Sequence, residues 1–371
     1  MARKRALIIG IDHYDDPNIA NLRNAVNDAK AVAKYLTTND PQHADDVVSK
    51  NYDVELLVSR PGYQVARRNL LEKINWLFSS NLDGALFYFA GHATRSKLDD
   101  NDYLVSSDGK DDAFGVDMSL LMRRANNAIN NGVKSSTVIL DCCHAGAAGN
   151  SYFSDNISQI GKGVTLLTSC EASEKARDTG VRDGHGAFTS ILLDGLEGQA
   201  SDILGRVTPA SLYSLIDSRL GAREQRPVYK TNVNEFIEIR KSTPSIQPSK
   251  IMQLTTIFKN PKDRYQLSPE HERVQDRGKG FEDVFGYNIP FKDDLFNHYR
   301  ALQDCFKNGL VTVICPDGKP EGWDVMTDNA AWPPKDSGSF SMWHAAIFSA
   351  SVELNNVGRH YRELALQNGL G

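Results

Sequence analysis

The first 240 residues of this chain alternate short apolar runs with longer amphipathic stretches. Runs such as Ala6–Ile11 and Ala85–Phe89 are continuously apolar, as expected of strands that are buried on both faces of a sheet. Stretches such as Asn24–Leu36 space their apolar residues as one face of a helix does. This alternation predicts an α/β fold in which a mostly parallel sheet is flanked by helices.

The remaining elements of this region follow the same pattern. Strands are expected at Val54–Val58, Thr137–Leu140, Val164–Thr168, Pro227–Lys230 and Glu235–Ile239, and helices at Gln64–Phe78, Ser119–Ala128, Phe188–Leu196 and Pro209–Leu220. The segment from Leu98 to Asp117 carries seven aspartates and is expected to be a polar loop.

The composition changes after residue 240. The segment 241–250 is rich in Ser and Pro, lacks periodicity and is predicted to be a linker. The chain therefore divides into a first domain at 1–240 and a second, smaller α+β domain at 251–371. Within the second domain we expect helices at Leu295–Asn308 and Val357–Gln367 and a strand at Leu310–Ile314.

Charge and hydropathy exclude several classes of protein. The formal net charge is -5 and the pI is near 6.0, so the chain lacks the basic surface that nucleic-acid binding needs. No apolar stretch is long enough to span a bilayer, and the run after the basic start is too short for a signal peptide. Five cysteines in 371 residues, two of them adjacent, do not form a disulfide framework. We therefore expect a cytoplasmic protein with neither nucleic acid nor membrane as a partner.

Reactive side chains follow three of the predicted strands. The carboxyl ends of parallel strands meet at one edge of a sheet, which is where ligands bind in open α/β folds. His92 and Cys143 are expected at this edge, although 51 residues separate them in the sequence. A cysteine nucleophile needs a neighbouring base, and it needs backbone donors for the oxyanion that develops. The strand ends in question are Asp12-His13-Tyr14, Gly91-His92 and Asp141-Cys142-Cys143-His144.

These motifs resemble those of the caspase and metacaspase peptidases, and more closely the prokaryotic caspase-like branch than the animal caspases. The family carries an apolar strand ending in Gly-His and, about fifty residues later, a strand ending in Asp-x-Cys-His-x-Gly. This sequence has YFAGH at 88–92 and VILDCCHAG at 138–146. Further segments agree in order, namely LIIGI at 7–11, Asn27-Asp28, LTSC at 167–170, HGAF at 185–188 and QRPV at 225–228. The resemblance spans residues 5–240.

The resemblance implies a cysteine endopeptidase with a Cys-His dyad. Cys143 would be the nucleophile and His92 its general base, with the backbone amides of Ala93 and Cys143 forming the oxyanion hole. Asp28 and Asp141 would line the pocket for the side chain before the scissile bond. Such a pocket implies cleavage after Arg or Lys, in a regulatory or defence-related protein target. The C-terminal domain would then regulate or target the peptidase, through a partner.

Other readings of the same residues remain open. Cys142 stands where the family usually has Ser and is interpreted as a structural thiol. Adjacent cysteines lack the spacing of a zinc site, so no metal site is predicted. The aspartates of 98–117 could bind calcium, which activates many metacaspases, but they lack the EF-hand pattern, and no cofactor is predicted. The alternative functions are an inactive caspase-like scaffold whose C-terminal domain binds a partner, and a thiol hydrolase with a non-peptide substrate.

Overall fold

The structure is a computed structural model that describes residues 3–40, 48–79, 81–110, 113–142, 150–151, 154–158, 160–169, 184–220, 226–233, 237–278, 281–286, 289–327 and 341–367. Its contacts divide the chain into two compact units, Met1–Pro244 and Ser245–Gly371. No helix in the described residues is long and apolar enough to cross a membrane.

The first unit alternates strands and helices through most of its length. In chain order its elements are β1 (Lys4–Gly10), α1 (Ala25–Thr37), β2 (Asp53–Val58), α2 (Arg67–Phe78), β3 (Gly84–Ala90), β4 (Ala93–Arg95), β5 (Asp102–Lys110), β6 (Ala113–Asp117), α3 (Met118–Asn130), β7 (Ser136–Asp141), β8 (Asn150–Ser151), β9 (Ser154–Ser158), β10 (Val164–Thr168), α4 (Ala187–Asp194), β11 (Arg206–Val207), α5 (Pro209–Arg219), β12 (Val228–Asn232) and β13 (Arg240–Lys241).

The central sheet confirms the α/β prediction. Among the described residues its strand order is β12-β10-β7-β3-β1-β2. In this sheet β2, β1, β3, β7 and β10 are each parallel to their neighbours, and β12 pairs antiparallel with β10. Because β1, β3, β7 and β10 are parallel to one another, their carboxyl ends lie along one edge of the sheet.

Each central strand contributes side chains to two cores, one on each face of the sheet. In β3, Phe87 and Phe89 pack on one face with the apolar residues of α2 and α3, while Leu86 and Tyr88 pack on the other with those of α1, α4 and α5. Successive side chains of a strand point to opposite faces, so a strand covered by helices on both sides must be apolar throughout. This requirement explains the continuous apolar runs in the sequence.

The aspartate-rich segment is largely a β-structure, and the prediction of a polar loop over 98–117 was wrong. Strands β4, β5 and β6 pair as an antiparallel sheet within this region. Leu104, Val105 and Val116 are buried, and so are the hydroxyl residues Ser106 and Ser107. The Ser107 hydroxyl accepts a hydrogen bond from the Val65 amide at 3.1 Å, so a polar side chain could be buried here without an unpaired group.

The predicted linker at 241–250 contains ordered structure at both ends. Lys241 lies in β13, and the amide of Ser242 donates to the carbonyl of Gly205 at 2.8 Å. At the other end Pro248 begins the first helix of the second unit, at a position where its missing N–H costs nothing. The boundary between the two units falls between Pro244 and Ser245.

The second unit is a small α+β structure. Its elements are α6 (Pro248–Ile257), β14 (Arg264–Gln266), α7 (Phe281–Phe285), α8 (Asp293–Lys307), β15 (Val311–Ile314), α9 (Trp323–Met326), α10 (Met342–Ile347), β16 (Ser351–Leu354) and α11 (Asn356–Leu366). In the described part of this unit, β14, β16 and β15 form an antiparallel sheet in that order. Cys305 is buried, whereas Cys315 is exposed.

Candidate active site

The site that the sequence predicted lies at the carboxyl ends of β3 and β7. These strands are parallel neighbours, and their last residues, Ala90 and Asp141, are paired in register. The amide of Gly91 donates to the carbonyl of Asp141 at 3.4 Å, which ties the two strand ends together. His92 is therefore the second residue beyond the pair on β3, as Cys143 is on β7.

Cys143 itself falls outside the described residues, together with the segment up to residue 149. The preceding Cys142 is 2% exposed and belongs to the core beneath the sheet edge. Ala93, the other predicted oxyanion-hole residue, begins β4 and pairs with Leu104 of β5. The structure thus describes the neighbours of the predicted nucleophile on the sheet.

His92 is held by hydrogen bonds on both its ring and its backbone. Its Nε2 lies 2.7 Å from the carbonyl oxygen of Ala20. A carbonyl oxygen only accepts, so Nε2 must carry a proton and donate it. In a neutral imidazole Nδ1 then keeps its lone pair, which is the electronic state that a general base needs.

Tyr14 fixes the position of His92. The Tyr14 hydroxyl donates to the carbonyl of Ile11 at 3.1 Å and accepts from the amide of His92 at 2.8 Å. The two rings also pack together, with centroids 5.0 Å apart. Burial raises the pKa of Tyr14, so its hydroxyl stays protonated and neutral. The neighbouring Gly91 has no room for a side chain, because a Cβ there would lie 2.9 Å from the Phe89 ring.

Asp28 lies in the first half of α1, and the loop after β1 determines where this helix begins. The carboxylate of Asp12 accepts hydrogen bonds from the amides of Ala25 and Val26, at 2.9 Å and 3.2 Å, and so caps the helix from outside. Helix α1 passes so close to β1 that a Cβ on Gly10 would lie 2.4 Å from the carbonyl oxygen of Ala25. A glycine at the end of β1 therefore allows α1 to carry Asp28 to the edge of the sheet.

Asp28 is buried in an environment that disfavours its charge. It is 3% exposed, its Oδ1 lies 2.7 Å from Nδ1 of His185, and its Oδ2 accepts from the Gly186 amide at 3.3 Å. Burial raises the pKa of Asp28 from 3.8 to about 7, with a further contribution from the negative charge of Asp141. The hydrogen bonds from His185 and Gly186 act in the opposite direction but are smaller.

Asp141 is oriented by a chain of hydroxyl groups from the core. Its Oδ2 accepts from the Thr189 hydroxyl at 2.7 Å, and the Tyr88 hydroxyl lies 2.7 Å from the same Thr189 oxygen. Because Thr189 donates its proton to the carboxylate, Tyr88 must donate to Thr189. Tyr88 is fully buried, and burial followed by the nearby acids raises its pKa well above the ordinary value. These two hydroxyl groups therefore present a hydrogen-bond donor to Asp141 at any ordinary pH.

The two acids approach the same point in space. A Cβ atom placed on Gly186 would lie 3.4 Å from Asp28 Oδ2 and 3.7 Å from Asp141 Oδ2. Both carboxylates therefore lie beside Gly186, and their role in binding substrate stays a prediction. Sequence reasoning did not assign a role to His185 or Thr189, which belong to the same cluster. The segment HGAF at 185–188, noted as part of the family resemblance, was the signal that pointed to His185, and Thr189 directly follows it.

The described residues contain no cluster of three or more His, Cys, Asp or Glu side chains that could hold a metal ion. The aspartates of the predicted polar loop instead support local structure. Asp117 caps α3 by accepting from the amides of Ser119 and Leu120, and Asp108 accepts from the amide of Arg67. Asp111 and Asp112 lie outside the described residues.

The chain is similar in sequence to fungal metacaspases. Metacaspase-1B of Aspergillus terreus is 31% identical over 160 residues, which cover 39% of this chain and 39% of that protein. Metacaspase-1 of Sclerotinia sclerotiorum is 29% identical over 157 residues, which cover 39% of this chain and 34% of that protein. The matches thus span between a third and two fifths of the relatives' own length.

Among solved structures, caspase-1 of Spodoptera frugiperda matches 65% of this chain and 91% of its own, with a TM-score of 0.46 and 11% identity. The sequence model of the caspase domain matches residues 3–237. This range covers well over half of the chain and contains the complete central sheet, His92, Asp141 and Cys143. The chain therefore belongs to the caspase family of cysteine peptidases.

Proposed function

We propose that this protein is a cysteine endopeptidase in which Cys143 is the nucleophile and His92 is the general base, and that it cleaves after Arg or Lys. The observation that carries the proposal is the state of His92. Its Nε2 donates to the Ala20 carbonyl, so Nδ1 is the ring atom that can accept a proton. Cys143 is the second residue after β7, as His92 is the second residue after β3, and we propose that its thiol lies within range of that atom.

The chemistry follows from this pairing. Nδ1 of His92 takes the proton of the Cys143 thiol, and the thiolate attacks the carbonyl carbon of the scissile bond. The protonated imidazole then gives its proton to the leaving amine as the C–N bond breaks. Water, deprotonated by the same imidazole, hydrolyses the thioester and releases the acid and the thiol. Each step uses protein groups and water, so the proposed reaction includes no metal or cofactor.

The oxyanion that forms in both halves of the reaction needs fixed donors. We propose the amides of Ala93 and Cys143 for this role. Ala93 directly follows His92, and Cys143 is the residue that carries the proposed nucleophile. Tyr14 supports the geometry by holding the amide of His92, one residue before Ala93. Losing one oxyanion donor typically costs about 10²- to 10³-fold in kcat.

The proposed specificity rests on the two acids. Asp28 and Asp141 direct carboxylate oxygens at one point beside Gly186. A guanidinium or ammonium placed there relieves the repulsion between them, whereas an acidic side chain increases it. Opposite charges about 4 Å apart interact by roughly 4 kcal/mol at an effective dielectric constant near 20. Arg is favoured over Lys because its planar fork can bind both acids at once.

A panel of short peptides with Arg, Lys, Asp or Leu before a fluorogenic group tests the proposal. The expected result is cleavage after Arg, less after Lys and none after Asp. Cys143→Ala and His92→Ala should each abolish cleavage, and their effects should not add because the two residues act as a unit. Cys142→Ala is the matched control, since it removes the adjacent thiol and should keep most activity. Cleavage after Asp, or activity that follows Cys142, would refute the assignment.

We propose further that the second unit regulates or targets the peptidase by binding a partner protein. The support is that Ser245–Gly371 is a compact unit with its own sheet and buried residues, among them Phe258, Tyr299 and Leu302. A panel in which no peptide is cleaved would favour the alternative of an inactive scaffold. In that case this unit would carry the function through its partner.

A further inference from the structure

Asp28, which the proposed function places in the substrate pocket, already contacts a side chain that can carry a positive charge. Nδ1 of His185 lies 2.7 Å from Oδ1 of Asp28. The amide of the next residue, Gly186, donates to the second oxygen of Asp28 at 3.3 Å. Two consecutive residues therefore occupy both oxygens of the carboxylate that the proposed function assigns to an arginyl side chain.

The solvent exposure of the two side chains indicates which of them a ligand would meet first. The side chain of Asp28 is 5% exposed, whereas that of His185 is 21% exposed. A guanidinium cannot reach a carboxylate that is so deeply buried unless its outer neighbour moves. The more exposed partner is the imidazole, so His185 is the candidate for that neighbour.

We propose that His185 is the resident occupant of this pocket, and that a cationic substrate side chain binds by displacing its imidazole from Asp28. This inference rests on the proposed function, because it assumes that the pocket receives Arg or Lys. His185 is then a specificity-determining residue: a neutral or acidic side chain gains nothing that offsets the lost contact between His185 and Asp28. A guanidinium replaces that contact and adds a second one to Asp141.

The backbone around His185 allows such a movement. His185 lies between Gly184 and Gly186, just before α4 begins at Ala187. Gly184 has a φ of 81° and a Cβ there would meet nothing within 4 Å, so it combines an unusual backbone conformation with open space. Rotation about Gly184 can move the imidazole while Gly186 keeps its place as the N-cap of α4.

The displacement should depend on pH. Asp28 faces Asp141 from β7, and His185 and Gly186 from the segment before α4, while Tyr88 from β3 lies near both acids and stays neutral. The pKa of Asp28 is raised to about 7 by burial and then by Asp141. As the pH rises through this range Asp28 becomes charged and attracts a cation.

The first test compares KM for an arginyl peptide in three proteins. His185→Ala should lower KM about five- to tenfold near pH 7, the worth of one typical hydrogen bond, with a smaller change in kcat. His185→Gln, which can keep a hydrogen bond to Asp28 without a charge, should lower KM less. His13→Ala replaces an exposed histidine at the same edge of the sheet and should leave KM unchanged. A higher KM in both His185 variants would overturn the proposal, because His185 would then help to form the pocket.

The second test does not depend on catalysis. In the Cys143→Ala protein, N-acetyl-arginine amide should shift the imidazole C2–H proton resonance of His185, whereas the neutral isostere N-acetyl-citrulline amide should not. If wild-type protein cleaves arginyl peptides while this resonance stays unchanged at saturating arginine amide, His185 is not displaced and the inference fails. If the resonance shifts but no peptide is cleaved at any pH, the inference stands and the proposed peptidase function fails.

Discussion

Replacing Asp28 by Asn should make the first unit more stable at neutral and alkaline pH. The fold raises the pKa of Asp28 from 3.8 to about 7, because it buries the carboxylate and places Asp141 near it. Between these two pH values the folded protein binds more protons than the unfolded chain does. Stability therefore falls as the pH rises through this window. At 1.36 kcal/mol for each pKa unit, ionising Asp28 costs the folded state about 4 kcal/mol at pH 8.

The substitution removes this cost and adds a smaller one. Asn can keep one contact with His185, but its NH₂ group cannot accept the hydrogen bond from the amide of Gly186. Leaving that donor without a partner costs about 1 kcal/mol. The net gain should be about 3 kcal/mol at pH 8. Below about pH 4 Asp28 is protonated in both states, so only the cost remains and the variant should be about 1 kcal/mol less stable than the wild type.

Urea unfolding of residues 1–244 measures this effect. Trp76 is the sole tryptophan in that part of the sequence, so its fluorescence reports on the first unit alone. The midpoint difference between variant and wild type should grow from pH 4 to pH 8 with a constant m-value. Asp53→Asn, which changes an exposed acid on β2, is the control and should show no such trend. A gain of equal size at pH 4 and pH 8, or none at pH 8, would show that Asp28 is not a buried acid.

Three further predictions concern positioning and domain structure. Thr189→Val should raise KM for arginyl peptides about tenfold, because the charged Asp141 carboxylate loses the hydrogen bond that the Thr189 hydroxyl donates. Thr189→Ser keeps a hydroxyl and should keep KM near the wild-type value. Tyr14→Phe should lower kcat about fivefold with little change in KM, since it keeps the ring but removes the acceptor for the amide of His92; equal kcat values would refute this role. A chain ending at Pro244 should unfold cooperatively and keep the Cys143-dependent reaction. A far-UV circular dichroism signal that is kept while the near-UV signal is lost, as in a molten globule, would contradict the separation of the units.

Sequence patterns predicted the central sheet well because burial imposes a simple requirement on it. Strands β1, β3, β7 and β10 are covered by helices on both faces, so most of their positions are apolar, and the runs stand out in the sequence. The antiparallel strands β5 and β6 were missed for the opposite reason. Ser106 and Ser107 are buried there, and Ser107 is paired with Val65, 42 residues away. A hydrogen bond to a distant residue leaves no trace in local composition.

The sequence by itself determined the fold class, the family and the edge of the sheet at which His92 and Asp141 meet. It could do so because burial on both faces makes the central strands stand out as apolar runs, and because residues after parallel strands share an edge of the sheet. Tertiary structure alone decided the state of each group at that edge. The proton on Nε2 of His92 follows from a carbonyl 72 residues earlier, and the contact between Asp28 and His185 joins residues 157 positions apart. Hydrogen bonds act over about 3 Å, so their partners are fixed only once the chain has folded.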